Sequence, residues 1–391
     1  MIKNYKLKIK NSNGFTLIEL LVVVGLMVTL TIVGVIATGR YQGSQGIKNT
    51  LKEISSAINN TRKRSVAQES GYAWGMRFVN TTSSQRYEIF RGASYALGTV
   101  QNTYPLSIRG MKFSNPFTSS TIDFAFAART GTLSAKQAVS IVTGAGDFFM
   151  GDIVANTLGN IVTRFENGIV GYWHFDEGVA TTTYDASGQG NNGTATNSPT
   201  WLSGSNCKAG GCLSFVGGSS QYVTIGDPTG GELDFGSATD FSIAGWFKRA
   251  SGISGIEIIV SKRDGVASTN AGYEIGLRST GNLYARIADG TTEVLTADDG
   301  ISEADGSWHF FAVTFDRDGN VTRYVDGSAY GATIAESSVN SINNSISFKI
   351  GSRTNGISET DSPITGSIDE VRIYNRTLTA AEVLSIYNDL K

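Results

Sequence analysis

Asp240-Phe241-Ser242-Ile243-Ala244-Gly245-Trp246-Phe247-Lys248 and Ser307-Trp308-His309-Phe310-Phe311-Ala312-Val313-Thr314-Phe315-Asp316 are the two stretches whose reading decides the fold. Both are short, rich in aromatic and aliphatic residues, and bounded by polar turn residues, which predicts strands. Similar runs recur at Gln221–Ile225, Ile256–Lys262, Gly272–Leu277, Asn282–Ala288, Asn320–Val325, Ser345–Gly351 and Ser367–Tyr374. Asp289-Gly290, Asp318-Gly319 and Asp326-Gly327 close or flank them as turns. Many short strands at regular spacing predict an all-β antiparallel sandwich. One C-terminal helix follows: Thr379-Ala380-Ala381-Glu382 is a capping box, and Leu378, Val383, Leu384 and Tyr387 supply the stripe expected to dock it.

Composition agrees with that class. The 391 residues include 47 glycines and only 5 prolines, without collagen periodicity, as expected for many tight turns. At 17% charged and 40% hydrophobic, the chain is unlike a disordered acidic tail or a nucleic-acid-binding arm. No specific nucleic-acid binding is expected. Two histidines and two cysteines leave little room for His or Cys metal clusters.

Trp173-His174-Phe175-Asp176-Glu177-Gly178, Tyr184-Asp185-Ala186-Ser187-Gly188, Asn192-Gly193-Thr194, the Phe241–Phe247 and Trp308–Phe315 runs, and Gly366-Ser367-Ile368-Asp369-Glu370-Val371-Arg372-Ile373-Tyr374-Asn375-Arg376 follow one another in order. Together they resemble a laminin G-like jelly roll of the concanavalin A-like lectin/glucanase superfamily, over about residues 169–391. The resemblance implies a fold that hosts lectins, adhesion modules, spacers and glycosidases, so it does not choose among them.

Sharper motifs were weighed against plainer readings. Gly188-Gln189-Gly190-Asn191-Asn192-Gly193 fits G-x-G-x-x-G, but no βαβ unit surrounds it, and it reads as a turn. Cys207 and Cys212 are expected to form a disulfide across a small loop. His174 and His309 lie in strand-like runs and read as packed or surface strand residues. Glycoside hydrolysis needs two carboxylates flanking a cleft. The superfamily's glucanases resemble E-x-D-x-x-E, and Glu232-Leu233-Asp234 begins that pattern, but Ser237 stands where the last glutamate belongs. Enzyme activity is therefore not expected. Jelly rolls of this kind often carry a structural calcium, and Asp176, Asp185, Asn192 and Asp369 offer the oxygen ligands it prefers. Solvated turn acids are the competing reading.

Residues ahead of the jelly roll differ in kind. Met1–Gly14 carries Lys3, Lys6, Lys8 and Lys10 without an acid, and Phe15–Gly39 is apolar with the single charge Glu19. That run is long enough to span a bilayer, and the lysines place the N-terminus on its cytoplasmic side. Gly14-Phe15-Thr16-Leu17-Ile18-Glu19-Leu20 resembles the processing segment of type IV prepilins and pseudopilins. The resemblance implies cleavage by a prepilin peptidase between Gly14 and Phe15, methylation of Phe15, and a register-setting role for Glu19 against neighbouring pilin subunits. An amphipathic helix is expected through Ile47, Leu51, Ile54, Ile58 and Val66. Strands are expected at Ala73–Val79, Arg86–Arg91, Thr121–Ala127, Ala138–Val142 and Ile161–Arg164.

The expected organisation is thus multidomain: a leader over 1–14, a transmembrane or assembly segment over 15–39, a pilin-like α+β domain with a long α-helix over 40–168, and the jelly roll over 169–391. Charge divides at the same place. Residues 15–168 hold 14 basic and 8 acidic residues, whereas 169–391 hold 14 and 26. The expected protein is anchored by a single pass in the cytoplasmic membrane, with the bulk of the chain outside, and displays a lectin-like head for adhesion to glycans or glycoproteins. The alternatives are a minor pseudopilin with a structural head and a surface glycosidase.

Overall fold

In the computed structural model, Phe241–Arg249 pairs antiparallel with His309–Phe315 on one side and Gly366–Tyr374 on the other. The structure describes residues 45–106, 111–116, 119–134, 137–142, 149–252, 255–298, 300, 302–356 and 358–390. These three strands lie inside an eight-stranded sheet that runs Thr200–Ser203, Gly211–Phe215, Gly366–Tyr374, Phe241–Arg249, His309–Phe315, Asn320–Val325, Ser328–Ala335, with Ile169–Trp173 also paired to Gly366–Tyr374. A second eight-stranded sheet faces it, with Phe348–Ile350 and Glu257–Arg263 at its centre. Phe241, Ile243 and Phe247 point between the sheets together with Phe311, Val313 and Phe315. Ala244, Trp246, Phe310 and Ala312 point the other way and are buried too. Burial on both faces explains why these strands read as nearly unbroken apolar runs rather than as alternating ones.

The C-terminal helix Ala380–Leu390 starts as its capping box requires. The Thr379 amide donates to Glu382 Oε2 at 2.8 Å, and the Glu382 amide donates back to Thr379 Oγ1 at 3.3 Å. Val383, Ile386 and Leu390 are its buried positions, with Leu378 just before it. Leu384, expected in that stripe, is exposed.

Ahead of Gly168, a helix over 45–66 buries Ile47, Leu51, Ile54 and Ile58. Val66, expected on the same face, is exposed. The helix covers two four-stranded sheets. One runs Thr99–Pro105, Gln85–Arg91, Trp74–Asn80, Ser120–Phe126, and the other Lys112–Asn115, Gln137–Val142, Phe149–Ala155, Ile161–Asn167. In the second sheet Val139, Ile141, Ile153 and Ala155 face the helix. Ala138, Val142, Met150 and Val154 face the jelly roll and join a core with Tyr172, Trp246, Phe310, Tyr374 and Val383. The chain from Gly46 to Lys391 is accordingly one compact unit.

The membrane expectation is corrected here. Among the described residues no helix is long and apolar enough to cross a membrane, so single-pass membrane anchoring is not supported. The sequence signals that carried it, Met1–Gly14 and Phe15–Gly39 with Gly14, Phe15 and Glu19, lie outside the described residues.

Phe235, Phe241 and Phe315 stack with ring centroids 4.1 and 4.2 Å apart. Removing the middle ring leaves a cavity that the two fixed sheets cannot close. Phe241→Ala is expected to cost about 3–5 kcal/mol, read as a lower denaturant midpoint with an unchanged slope.

Candidate ligand-binding cleft

A β-bulge in the Gly366–Tyr374 strand organises the seam between the jelly roll and the smaller sheets. Ala244 opposes Arg372 and Trp246 opposes Asp369, so Gly245 faces two residues where a regular ladder has one. Glu370 takes φ 56°, the left-handed region, to make the extra step. Ile368, Val371 and Ile373 therefore all point into the sandwich, while Asp369, Glu370 and Arg372 fall on its outer face. Strict alternation would have separated the two acids.

Glu370 is the hub on that face. His174 Nδ1 meets its Oε1 at 2.8 Å, Arg372 donates to Oε2 at 2.8 Å, and the Tyr172 hydroxyl donates to the same oxygen. Across the seam, His174 Nε2 lies 3.1 Å from Ser140 Oγ, which donates to Asp152 Oδ1 at 2.6 Å. Burial pushes His174 down, but the charge and hydrogen bond of Glu370, with the charges of Asp176 and Asp152, overcome it and raise its pKa. When protonated, the ring donates from both nitrogens. Burial pushes Glu370 up, yet the charges of His174 and Arg372 hold it far below the usual carboxylate range. A second clamp joins the same parts: the Tyr374 hydroxyl donates to Glu166 of the Ile161–Asn167 strand. The order Ser140, His174, Glu370 has the spacing of a hydrolytic triad. Ser140 is 0%, His174 4% and Glu370 1% exposed, so no substrate reaches it and the chain is a clamp between sheets.

Beside this clamp a cleft of about 630 Å³ opens along the seam. One wall is Asn115, Ser120–Asp123 and Gln137 from the smaller sheets, and the other is Asp176–Gly178, Leu202–Gly204 and Gly210–Gly211 from the jelly roll. Asp176 accepts the Gly211 amide and, at 3.4 Å, the Asn115 side-chain amide. That approach requires glycine at 210, where a Cβ would sit 2.0 Å from Asp176 Oδ1 and φ is +54°. Burial pushes Asp176 up to about 6, against the His174 charge and the Gly211 hydrogen bond. Burial likewise pushes Glu177 up to about 7, against the hydrogen bond from the Tyr184 amide. Asp123 is held by Arg77 at 2.6 Å. Among the described residues the lining holds carboxylates, amides and hydroxyls, and neither lysine nor arginine.

The structure distributes the sequence-predicted residues unevenly. Cys207 and Cys212 are joined in a disulfide. Its loop presents the Lys208 and Ala209 amides to Asp369 Oδ2 at 2.8 and 3.2 Å. Asp185 is filled by four donors: the amides of Tyr172, Ser187 and Asn191 and the Ser187 hydroxyl. Asn192 Oδ1 accepts the Asp185 amide. Asp176 and Asp369 lie near each other, and burial, with the charges of Glu370 and Asp176, raises Asp369 well above its ordinary value. Asp185 and Asn192 spend these oxygens on turn hydrogen bonds. Among the described residues no group of three or more His, Cys, Asp or Glu side chains is placed to hold a metal.

The remaining motifs are absorbed by the fold. Glu232 and Asp234 flank buried Leu233, and Asp234 accepts Lys262 Nζ at 2.8 Å. His309 sits between Asp326 and Asp305 at 2.9 and 3.2 Å, and its hydrogen bond to Asp326 leads in raising its pKa. Trp173 and Trp246 are buried, and the indole N–H groups of Trp201 and Trp308 are spent on the carbonyls of Ala180 and Asn206. Trp173 and Trp246 are thus closed to stacking, and Trp201 and Trp308 are partly buried against the two cores. Sequence reasoning missed Glu370, Arg372, Tyr172 and Glu166. The available signal was three charges within Asp369–Arg372, inside an otherwise apolar strand.

Residues 217–384 match the Laminin_G_3 family model, described as the concanavalin A-like lectin/glucanases superfamily. The lectin-like jelly roll expected from sequence is supported there, whereas the resemblance had been drawn from residue 169. Solved structures similar to this chain include the binding domain of Paraclostridial Mosquitocidal Protein 1, at 17% identity over 56% of this chain and 52% of that one, TM-score 0.45. The binding domain of botulinum neurotoxin DC in complex with rat synaptotagmin II is 18% identical over 57% and 52%, TM-score 0.44. Domain 4 of AbnA, a GH43 extracellular arabinanase from Geobacillus stearothermophilus, in complex with arabinotriose, is 18% identical over 56% and 98%, TM-score 0.39. The chain spans about half the length of the first two. No curated protein matches it.

The two neighbouring acids of the bulge are expected to respond oppositely to amidation. Glu370→Gln leaves His174 and Arg372 without their buried counter-charge and should cost about 3–5 kcal/mol at pH 7. Glu370's lowered pKa means that its contribution is present above about 4.5 and is lost as pH falls toward about 2. Asp369 has a raised pKa, so its favourable neutral form is complete below 3.8 and is lost as pH rises. Asp369→Asn should therefore gain stability over the native protein from pH 4 to pH 8. Urea titrations across that range read both.

Proposed function

We propose that this protein is a non-catalytic glycan-binding protein that holds sugar in the cleft between its jelly roll and its smaller sheets. The observation that carries the reading is the cleft's lining: amides at Asn115 and Gln137, hydroxyls at Ser120, Thr121 and Ser203, and carboxylates at Asp176 and Glu177, around about 630 Å³. Sugar hydroxyls are paired donors and acceptors, and amides and carboxylates meet them in kind. The volume lies inside the roughly 300–1,000 Å³ of small-ligand sites. The lectin-like family match covers residues 217–384, which adjoin the cleft's jelly-roll wall in sequence without lining it, and is compatible with this ligand class. Among the described lining residues there is no lysine or arginine, which favours neutral over acidic sugars.

Glycan-array screening of the full chain, with and without calcium, tests this reading. Neutral oligosaccharides are expected to bind. Ser203→Trp, which fills the cleft mouth, and Gln137→Ala should each weaken binding at least fivefold without moving the melting temperature. Uniform silence on the array overturns the proposal, and released sugar would point to a hydrolase instead.

The N-terminal segment adds a second element. Gly14-Phe15-Thr16-Leu17-Ile18-Glu19-Leu20 supports processing by a prepilin peptidase, with Glu19 setting register among pilin-like subunits that display the jelly roll for adhesion. The α+β organisation of residues 45–167, a helix laid over small antiparallel sheets, is compatible with a pilin-like domain. Mass spectrometry of the mature protein should find a chain beginning at methylated Phe15. An intact Met1 terminus rules the assignment out.

A further inference from the structure

We infer a second carbohydrate site, specific for acidic sugars, in the groove between the 45–66 helix and the Thr99–Pro105 edge strand. This site lies on the smaller sheets, away from the jelly-roll cleft. The groove measures about 470 Å³ and is lined by Asn60, Lys63, Arg64, Asn102 and Tyr104, among others, with no Asp or Glu among the described residues.

The edge strand is exposed along its whole length, and its pairing with Gln85–Arg91 sets Tyr104 opposite Tyr87 and Asn102 opposite Ile89. Tyr104 lies on Tyr87 with ring centroids 4.9 Å apart and planes 18° from parallel. Tyr87 is buried, and its hydroxyl is tied to Glu53 at 3.3 Å, so the platform beneath Tyr104 is fixed. Tyr104 itself remains 37% exposed at the groove. A fixed, accessible aromatic face is the element that the buried Trp173 and Trp246 of the jelly roll do not supply.

The polar groups are of the matching kind. Asn60 and Asn102 are exposed amides, each able to donate to one sugar hydroxyl and accept from another. Arg64 is held by Glu69 at 3.1 Å and lies over Trp74 at 4.4 Å, so it is ordered before any ligand arrives. Lys63 is exposed and makes no ion pair among the described residues. The helix that carries both holds five basic residues and one acid over 45–66. A pyranose ring on Tyr104, hydroxyls on the asparagines and a carboxylate on Lys63 and Arg64 together describe a uronic acid. The other cleft, with its carboxylates, would repel the same sugar.

Single-stranded nucleic acid is the competing polyanion. It is bound by several aromatic side chains stacking successive bases along a basic track, and this groove offers one ring. Calorimetry on the full chain decides, with trigalacturonate, a neutral galactan trisaccharide and a short single-stranded oligonucleotide as probes. Trigalacturonate is expected to bind, more weakly as salt rises. Tyr104→Ala and Lys63→Glu, both at exposed positions, should each reduce that affinity at least tenfold, whereas Gln137→Ala should leave it unchanged. Unaltered melting temperatures in the variants confirm that folding is not the cause. The inference is overturned by no trigalacturonate binding, by binding that both variants retain, or by oligonucleotide binding that is tighter and lost in the same variants. Retention of neutral glycans in the other cleft is read separately and does not depend on this result.

Discussion

Glu370 is surrounded by donors from the jelly roll, and one of them, His174, reaches across to Ser140 and Asp152 of the smaller sheets. An ion pair at this depth is costly to desolvate and contributes little net stability when compared with an apolar core of the same shape. Its value is in geometry. Two apolar sheets can slide over one another at small cost, but a buried carboxylate that must meet a histidine, an arginine and a tyrosine has one acceptable position. The bulge creates this position by turning two consecutive acids to the same face. The seam, and with it the cleft, exists in one register because of that requirement.

Much of the architecture could be read from residue patterns. The Phe241–Arg249 and His309–Phe315 strands announce themselves because burial on both faces leaves almost no polar residue in them. The capping box at Thr379 and Glu382 and the stripe at Ile47, Leu51, Ile54 and Ile58 are local features whose physics is complete within one turn or one helix face. Short polar strands such as Thr182–Thr183 and Gly193–Thr196 carry no such mark, because their pairing is decided by neighbours far away in the chain. Thr99–Pro105 is similar: a fully exposed edge strand has no apolar period to show.

The candidate sites were less legible than the fold for a related reason. Asp185 looks like a cation ligand in the sequence, yet the same short side chain accepts three hydrogen bonds from its own turn and a fourth from the Tyr172 amide. Clefts at seams depend on which faces meet, and the signal for that meeting was slight. Gln137–Val142 places Ala138 and Val142 on one face and Val139 and Ile141 on the other, which is the pattern of a strand covered twice. Read that way, it would have announced a partner for the jelly roll's outer face.

The jelly roll begins and ends in one place. Ile169–Trp173 pairs with Gly366–Tyr374, the Asn375 amide donates to the Gly168 carbonyl at 2.8 Å, and Arg376 reaches the Asn167 carbonyl at 2.9 Å. A module whose two ends are adjacent can be inserted into, or exchanged within, a host chain without stretching its connections. Here the exchange is constrained by the outer face, because any replacement must also cover Ala138, Val142, Met150 and Val154 and answer Ser140 and Asp152 with a cation. Evolutionary shuffling of such heads would therefore leave its trace in matched pairs of residues on the two sides of the seam, while the chain ends themselves stayed free to vary.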